Sequence, residues 1–278
     1  MTDERTQQIL ARLHDVGQRE DTEIPLAETA LNLAALDHLG LDLKPYRDHL
    51  RQLADDARES YAAVRRGMAE VPAAARALAE TIGVRHGYQG DNATFDDPQN
   101  ADLVRVIDRR RGLPVSLGIL YIDLAHRMEI SAHGLNTPGH FLMTIGDGDH
   151  ARVIDPFNGG VVLDVEELRP WPQLPDDDPG KYGPVGRRDV LLRLLNNIHS
   201  RALAGKDAMR ALTIAERMVL IAPRRADLWL ELSKASESIG KMNSAIRAAQ
   251  NCLNLAGAEA PLGRQAAFAL QALKLRVN

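Results

Sequence analysis

Apolar positions in the first part of the chain recur at intervals of three and four, the spacing of amphipathic helices. Leu26, Ala30, Leu31 and Leu33 are an example. The pattern predicts helices over residues 6–16, 26–38, 45–68 and 72–82, with glycine breakers between segments. We therefore expect residues 1–86 to form a helical N-terminal region that packs on the next domain.

The pattern changes after Gly83. Residues 86–100 are rich in Gly, Asn, Asp and Pro and predict a loop, and residues 115–128 are apolar nearly all round, which indicates a buried central helix. Three short apolar segments follow, HFLMTIG, ARVIDPF and GGVVL, separated by glycine-rich turns that favour antiparallel hairpins. Residues 87–168 should form an α+β core with a small antiparallel sheet.

The remainder divides into a connector and a helical region. Residues 169–188 carry five prolines among aspartates and glycines and predict an extended connector. From residue 189 to 278 the pattern is helical again, with an internal echo at an offset of 34 residues, the tetratricopeptide period: Ala211 and Ala215 recur as Ala245 and Ala249. Because such repeats bury their faces on neighbours, this region should dock on the core or on a partner.

Charge and composition narrow the function classes. With 34 Lys and Arg against 38 Asp and Glu, the net charge of -4 argues against nucleic-acid binding. The basic run Arg109–Arg111 is expected to stay solvated at a helix end. A polar start and the lack of any apolar run near ~18 residues predict a cytoplasmic protein that does not enter the membrane. Cys252, the only cysteine, lies on an apolar helical stripe and is expected to be a core residue.

Three motifs combine a reactive residue with a constrained backbone: GLPVSLG with Ser116, TPGHFL with His140, and VIDPFNGG with Asp155. Ser116 falls in the first turn of the central helix, where free amides can stabilise an oxyanion, although serine is also a common N-cap. Two antiparallel neighbouring strands should bring His140 and Asp155 within hydrogen-bond distance. The motifs predict a shared site.

Residues flanking the motifs are candidates for ligand contacts, namely Asn136, Gly139, Phe157 and Asn158. For Phe157, as for Phe141, a core position is favoured, and Asn158 is also ordinary turn chemistry. No cofactor is expected. A weaker option is a metal site formed by His140, Asp155 and either Asp147 or Asp164, but no familiar ligand spacing supports it.

The runs VIDRRRGLPVSLGILYIDLAHRM, GLNTPGHFLM and VIDPFNGGVVL resemble the SirB-type branch of the transglutaminase-like superfamily, and the tail resembles the tetratricopeptide-like region that follows there. The resemblance extends from about residue 25 to the end. It implies a transglutaminase-like, papain-like core. It also implies that the catalytic Cys, His and Asp positions of that superfamily fall on Ser116, His140 and Asp155.

The missing cysteine leaves two hypotheses. A thiol can ionise beside a histidine, whereas a serine hydroxyl needs its base in the transition state. In the first hypothesis the chain is a pseudoenzyme that binds a protein or peptide partner through the degenerate cleft or the C-terminal repeats. In the second, Ser116 is the nucleophile, His140 the base and Asp155 its orienter in an amide or ester hydrolase or acyltransferase.

Overall fold

Helices make up most of the chain in the computed structural model, which describes residues 4–135, 137, 140–163 and 183–277. Those of the first half lie close to the predicted ranges. They are α1 (Glu4–Gln18), α2 (Leu26–Ala35), α3 (Lys44–Arg65), α4 (Glu70–Leu78), α5 (Leu103–Arg109) and α6 (Pro114–Arg127). Directly after α4, Ala79–Arg85 form a π-helical segment.

The chain divides into two compact units. The first contains Met1–Ile9 and Glu20–Leu194, and the second contains Leu10–Arg19 and Leu195–Asn278. Helix α1 is therefore split between the units, although its sequence predicted only an N-terminal region of the core. Of the predicted connector, residues 169–182 lie outside the described residues, while residues 183–188 hold a short strand and the start of a helix.

In the described part of the first unit, five strands form an antiparallel sheet: β3 (Ala132–Leu135), β4 (Leu142–Ile145), β5 (Arg152–Asp155), β6 (Val161–Leu163) and β7 (Pro184–Val185). Their order in the sheet is β6-β5-β4-β3-β7. The strands β1 (Gln89–Gly90) and β2 (Arg111–Gly112) form a separate parallel pair. Central helix and antiparallel sheet together confirm the predicted α+β class.

Helix α6 packs against β3 and β4 and is surrounded by α2, α3, α4 and α5. Every residue from Pro114 to Ala125 is buried, as its apolar sequence predicted. Close packing depends on Gly118, since a Cβ there would lie 2.3 Å from the ring of Phe141. Phe141 itself is 4% exposed, so it is a core residue.

The second unit is helical, and its last four helices pack in succession, each against the next. Its helices are the end of α7 (Arg187–Ala204), α8 (Ala208–Ile221), α9 (Ala226–Ser238), α10 (Met242–Ala256) and α11 (Pro261–Val277). The first residues of α8 and α10, Ala208 and Met242, are related by the 34-residue offset. Cys252 is fully buried against Leu230 and Ala266, and burial raises the pKa of its thiol. Among the described helices, none is long and apolar enough to cross a membrane.

Candidate functional site

His140 and Asp155 lie side by side at one end of the sheet. Asp155 is the last residue of β5, and His140 stands just before β4, its hydrogen-bonded neighbour. His140 Nε2 is 3.1 Å from Asp155 Oδ2. The side chain of His140 is 22% exposed and that of Asp155 only 6%. The pairing that the strand order suggested is therefore present.

Asp155 is fixed by its own turn. Its Oδ1 accepts hydrogen bonds from the amides of Phe157 and Asn158, and its Oδ2 accepts one from the Asn158 side chain at 2.7 Å. Burial alone raises the pKa of Asp155, but the bonds from His140, Asn158 and Phe157 outweigh it and lower the pKa. The carboxyl group is therefore ionised at neutral pH, and its position is rigid.

The ionised carboxylate determines the tautomer of His140. Because a carboxylate can only accept, Nε2 carries the proton and donates to Asp155. In a neutral ring Nδ1 is then an acceptor, the arrangement that a general base or a hydrogen-bonding ligand site requires. The backbone of His140 is also held, since its carbonyl accepts the Thr137 hydroxyl at 2.6 Å.

Ser116 is buried, and its hydroxyl faces the backbone. It is the third residue of α6 and is fully buried, and its hydroxyl oxygen lies 2.7 Å from the Asn100 carbonyl and 3.0 Å from the Leu113 carbonyl. Both are acceptors, so the single hydroxyl proton points to the backbone. The expectation that Ser116 is an N-cap is wrong, because the N-cap is Leu113 and no side chain caps the helix.

The Asn100 carbonyl is held in place by a buried polar network that the sequence did not predict. Arg109 donates to the Asn100 side chain at 3.1 Å and to Asp91 at 2.9 Å. Asp91 also accepts from the hydroxyl and amide of Thr94, at 2.6 and 2.9 Å. Hydrogen bonds from Thr94, together with those from Asn100 and Arg109, keep the pKa of Asp91 well below its usual range.

The expected solvation of the Arg109–Arg111 run is wrong for its first two members. Arg109 pairs with Asp91, whose side chain is 2% exposed. Arg110 caps α5 with a φ of 58°, and its guanidinium lies 4.7 Å from the centre of the Tyr88 ring. A solvated cation would have neither partner, so these arginines are structural.

An aromatic row leads from the pair to the surface. The Phe157 ring meets His140 edge to face with centroids 6.1 Å apart, and Phe95 meets Phe157 at 5.9 Å. Phe95 is 41% exposed, whereas Phe157 is 8% exposed and closely packed on Gly90. The sequence is compatible with Phe157 as a ligand contact or as a core residue, and its burial favours the core. Phe95 was not singled out, because one phenylalanine in a polar loop gives no sequence signal.

Of the remaining candidates for ligand or metal contacts, only some lie at the pair. The Asn158 side chain donates to Asp155 and therefore supports the pair directly. Asn136 and Gly139 lie outside the described residues, as does Asp164. Asp147 follows β4 at the opposite end from Asp155 and accepts from Ser131 at 2.8 Å. Within the described residues, no group of three or more His, Cys, Asp and Glu side chains could hold a metal ion.

Tyr121 on α6 lies close enough to Asp155 to be affected by its charge. Its side chain is 1% exposed, and its hydroxyl has no hydrogen-bond partner among the described residues. Burial raises the pKa of Tyr121, and the negative charge of Asp155 raises it further. A Cβ on Gly160 would lie 2.8 Å from this hydroxyl, so the glycine is required there.

A single protein family matches the part of the chain that contains all three motifs. Residues 44–196 match the transglutaminase-like superfamily, a range that includes Ser116, His140 and Asp155. The chain belongs to this superfamily. A UPF0162 protein of Xylella fastidiosa (strain Temecula1) is 30% identical over 258 residues, covering 90% of each chain.

Of two further similar proteins, one matches a smaller part of the chain and the other has a lower sequence identity. A UPF0162 protein of Pseudomonas aeruginosa is 31% identical over 141 residues, which is 49% of this chain and 52% of that protein. The crystal structure of menin is similar over 89% of this chain and 70% of that one, with 11% sequence identity and a TM-score of 0.41.

Proposed function

We propose that this superfamily member is a SirB-type protein whose cleft binds a protein or peptide segment and in which Ser116 is not a nucleophile. The observation that carries the proposal is the burial of Ser116, with its hydroxyl directed at two backbone carbonyls. To react, it would have to give up these bonds and reach solvent. The polypeptide fold of the site is retained, but the reactive group is not presented.

The His140–Asp155 pair remains suited to a ligand. His140 is partly exposed, and its orientation is fixed by an ionised carboxylate. A ring held in this way can hydrogen-bond a backbone or side-chain group of a bound segment without losing much rotamer freedom. The pair therefore supports recognition whether or not chemistry follows.

Exposed apolar side chains flank the pair and favour a peptide over a small polar ligand. Phe95 is 41% exposed next to Phe157, and Val161, which pairs with Asp155 across the strands, is 50% exposed. Aromatic anchors beside a fixed polar group are typical of protein recognition sites. We propose that a bound segment places an apolar side chain against Phe95.

The C-terminal helices offer an alternative surface, and the same assay separates the two. Phe268 on α11 is 76% exposed, so Phe268→Ala removes an exposed aromatic ring from the second unit. Phe95→Ala removes one beside the cleft. Because both substitutions remove a phenyl ring, any difference in peptide affinity between them reflects the position of the ring and not non-specific hydrophobic binding.

Peptides selected from a displayed random library against the full chain would be measured with each variant by calorimetry. Loss of an anchoring ring typically costs about 2 kcal/mol, so Phe95→Ala should weaken binding at least tenfold while Phe268→Ala has little effect. His140→Ala should also weaken binding, and Ser116→Ala should leave it unchanged. No enriched peptide, or equal affinity for wild type and Phe95→Ala, would contradict the cleft as the binding site.

The enzyme hypothesis is tested by a fluorophosphonate probe, which labels activated serines. We expect no more labelling of the wild type than of Ser116→Ala. Labelling that disappears in both Ser116→Ala and His140→Ala would instead establish a serine nucleophile activated by histidine.

A further inference from the structure

A cavity of about 310 Å³ lies in the first unit, away from the cleft. It is bounded by the end of α6, by β3 and β7, and by the start of α7. Its apolar lining includes Ile122, Ile130 and Val190. Ser116, His140 and Asp155 do not line it. The volume is near the lower end of the range for small-molecule sites, which are mostly apolar with a few convergent polar groups.

Arg187 supplies the cationic group of this cavity. Its Nη1 donates to the Ile24 carbonyl at 3.0 Å. Two carboxylates, Asp21 and Glu129, line the same cavity, but among the described residues neither forms an ion pair with the guanidinium. The nearby Asp21 is already engaged, because its two oxygens accept the amides of Arg187 and Arg188 at 2.8 and 2.9 Å. Asp21 therefore satisfies two free amides at the start of α7 and compensates the positive end of that helix.

The other polar residues of the lining are two histidines, Ser131, and the exposed residues Thr22 and Glu129. The two histidines are oriented by local hydrogen bonds. His126 Nε2 lies 2.9 Å from the Ala132 carbonyl, and since a carbonyl only accepts, this nitrogen carries the proton. Burial lowers the pKa of His126, and the charge of Arg187 lowers it further. His133 Nε2 lies 3.1 Å from Ser131 Oγ. The rings thus border the cavity in defined orientations.

We propose that this cavity binds a small carboxylate with a short aliphatic or aromatic body. The carboxylate would pair with Arg187, whose planar guanidinium matches its two oxygens, and the body would lie against Ile122 and Ile130. The site is independent of the cleft and of whether Ser116 reacts. An uncharged ligand of the same shape would leave the guanidinium without its ion pair, so it binds more weakly.

Fluorine NMR on the full chain tests this with 4-fluorobenzoate and 4-fluorobenzamide, which have the same shape and differ in charge. We expect the acid to bind and Arg187→Gln to weaken it by about tenfold or more, because a charge-assisted bidentate contact is lost. The matched control is Arg188→Gln, which removes the same charge one residue away, outside the cavity lining. It should change affinity by less than about twofold.

A second variant leaves the guanidinium in place. Thr22 is an exposed residue at the cavity rim, so Thr22→Trp should be tolerated and should obstruct entry of the acid. Retained folding of each variant is checked by circular dichroism. Absence of acid binding to the wild type, equal binding of acid and amide, equal losses in Arg187→Gln and Arg188→Gln, or undiminished binding in Thr22→Trp would each overturn the proposal.

Discussion

The buried pair of Asp91 and Arg109 should be a major determinant of stability around the site. Arg109→Met retains most of the length and apolar stem of the side chain but removes the guanidinium. Asp91, with a side chain 2% exposed, then loses its cationic partner, and the Asn100 side chain loses a donor. The perturbation therefore leaves a carboxylate buried without a counter-charge.

The size of the stability loss depends on the interactions that Asp91 keeps in the variant. Breaking a buried pair by removing one partner typically costs ~3–5 kcal/mol. Here the Arg109 side chain is 26% exposed and Thr94 still donates two hydrogen bonds to Asp91, so the loss is partly offset. We expect Arg109→Met to lower the free energy of unfolding by about 2–4 kcal/mol.

The pH dependence has a definite sign. Thr94 and Arg109 depress the pKa of Asp91 in the folded state, so its contribution to stability is full above the unfolded pKa of ~3.9 and is lost as pH falls through the folded pKa. Arg109→Met raises that folded pKa. The difference in stability between wild type and variant should therefore be largest near neutral pH and shrink below about pH 4.

Urea unfolding followed by circular dichroism measures both effects. The control is Arg105→Met on the same helix, where the arginine is 47% exposed and 3.7 Å from Asp108, and where the cost should be below about 0.5 kcal/mol. Equal effects of the two substitutions, or a cost for Arg109→Met that does not change with pH, would refute the assignment of a buried pair.

Two further predictions concern packing and titration. Gly118→Ala should destabilise the chain by about 1–3 kcal/mol in the same assay, because its Cβ would collide with Phe141, whereas Gly67→Ala, with nothing within 4 Å, should be nearly neutral. An unchanged or higher free energy of unfolding for Gly118→Ala would contradict this prediction. Burial, with the charge of Arg110, lowers the pKa of His49 to about 4, so the unfolded chain binds the proton first and stability should fall from about pH 6.5 towards 4. His49→Gln should flatten that slope, and an NMR titration of His49 with an ordinary midpoint would refute it.

Local patterns predicted the helices and the His140–Asp155 pair because each depends on short-range rules. Periodicity placed α6 and its buried residues, and two hairpins were enough to bring adjacent strands together. These inferences needed no knowledge of distant contacts.

The direction of the Ser116 hydroxyl was not predictable in this way. It depends on the Asn100 carbonyl, which is held by a network joining Asp91 and Arg109 across 18 positions of sequence. From sequence alone, a basic run at a helix end is predicted to be solvated, because the loop that covers it is not known. The exposed Phe95 was missed for the same reason, since only the tertiary fold places it against Phe157.

The most direct test of the central claim places a thiol where the superfamily has its cysteine. Ser116→Cys in a Cys252→Ala background leaves one thiol, because Cys252 is the only cysteine of the chain. The rate of alkylation of this thiol by iodoacetamide is measured against pH. Because position 116 is fully buried, we predict slow alkylation that does not depend on His140. The contrary result would be rapid alkylation of a thiolate that forms below neutral pH and is lost in His140→Ala. It would show that the cleft is still arranged for catalysis.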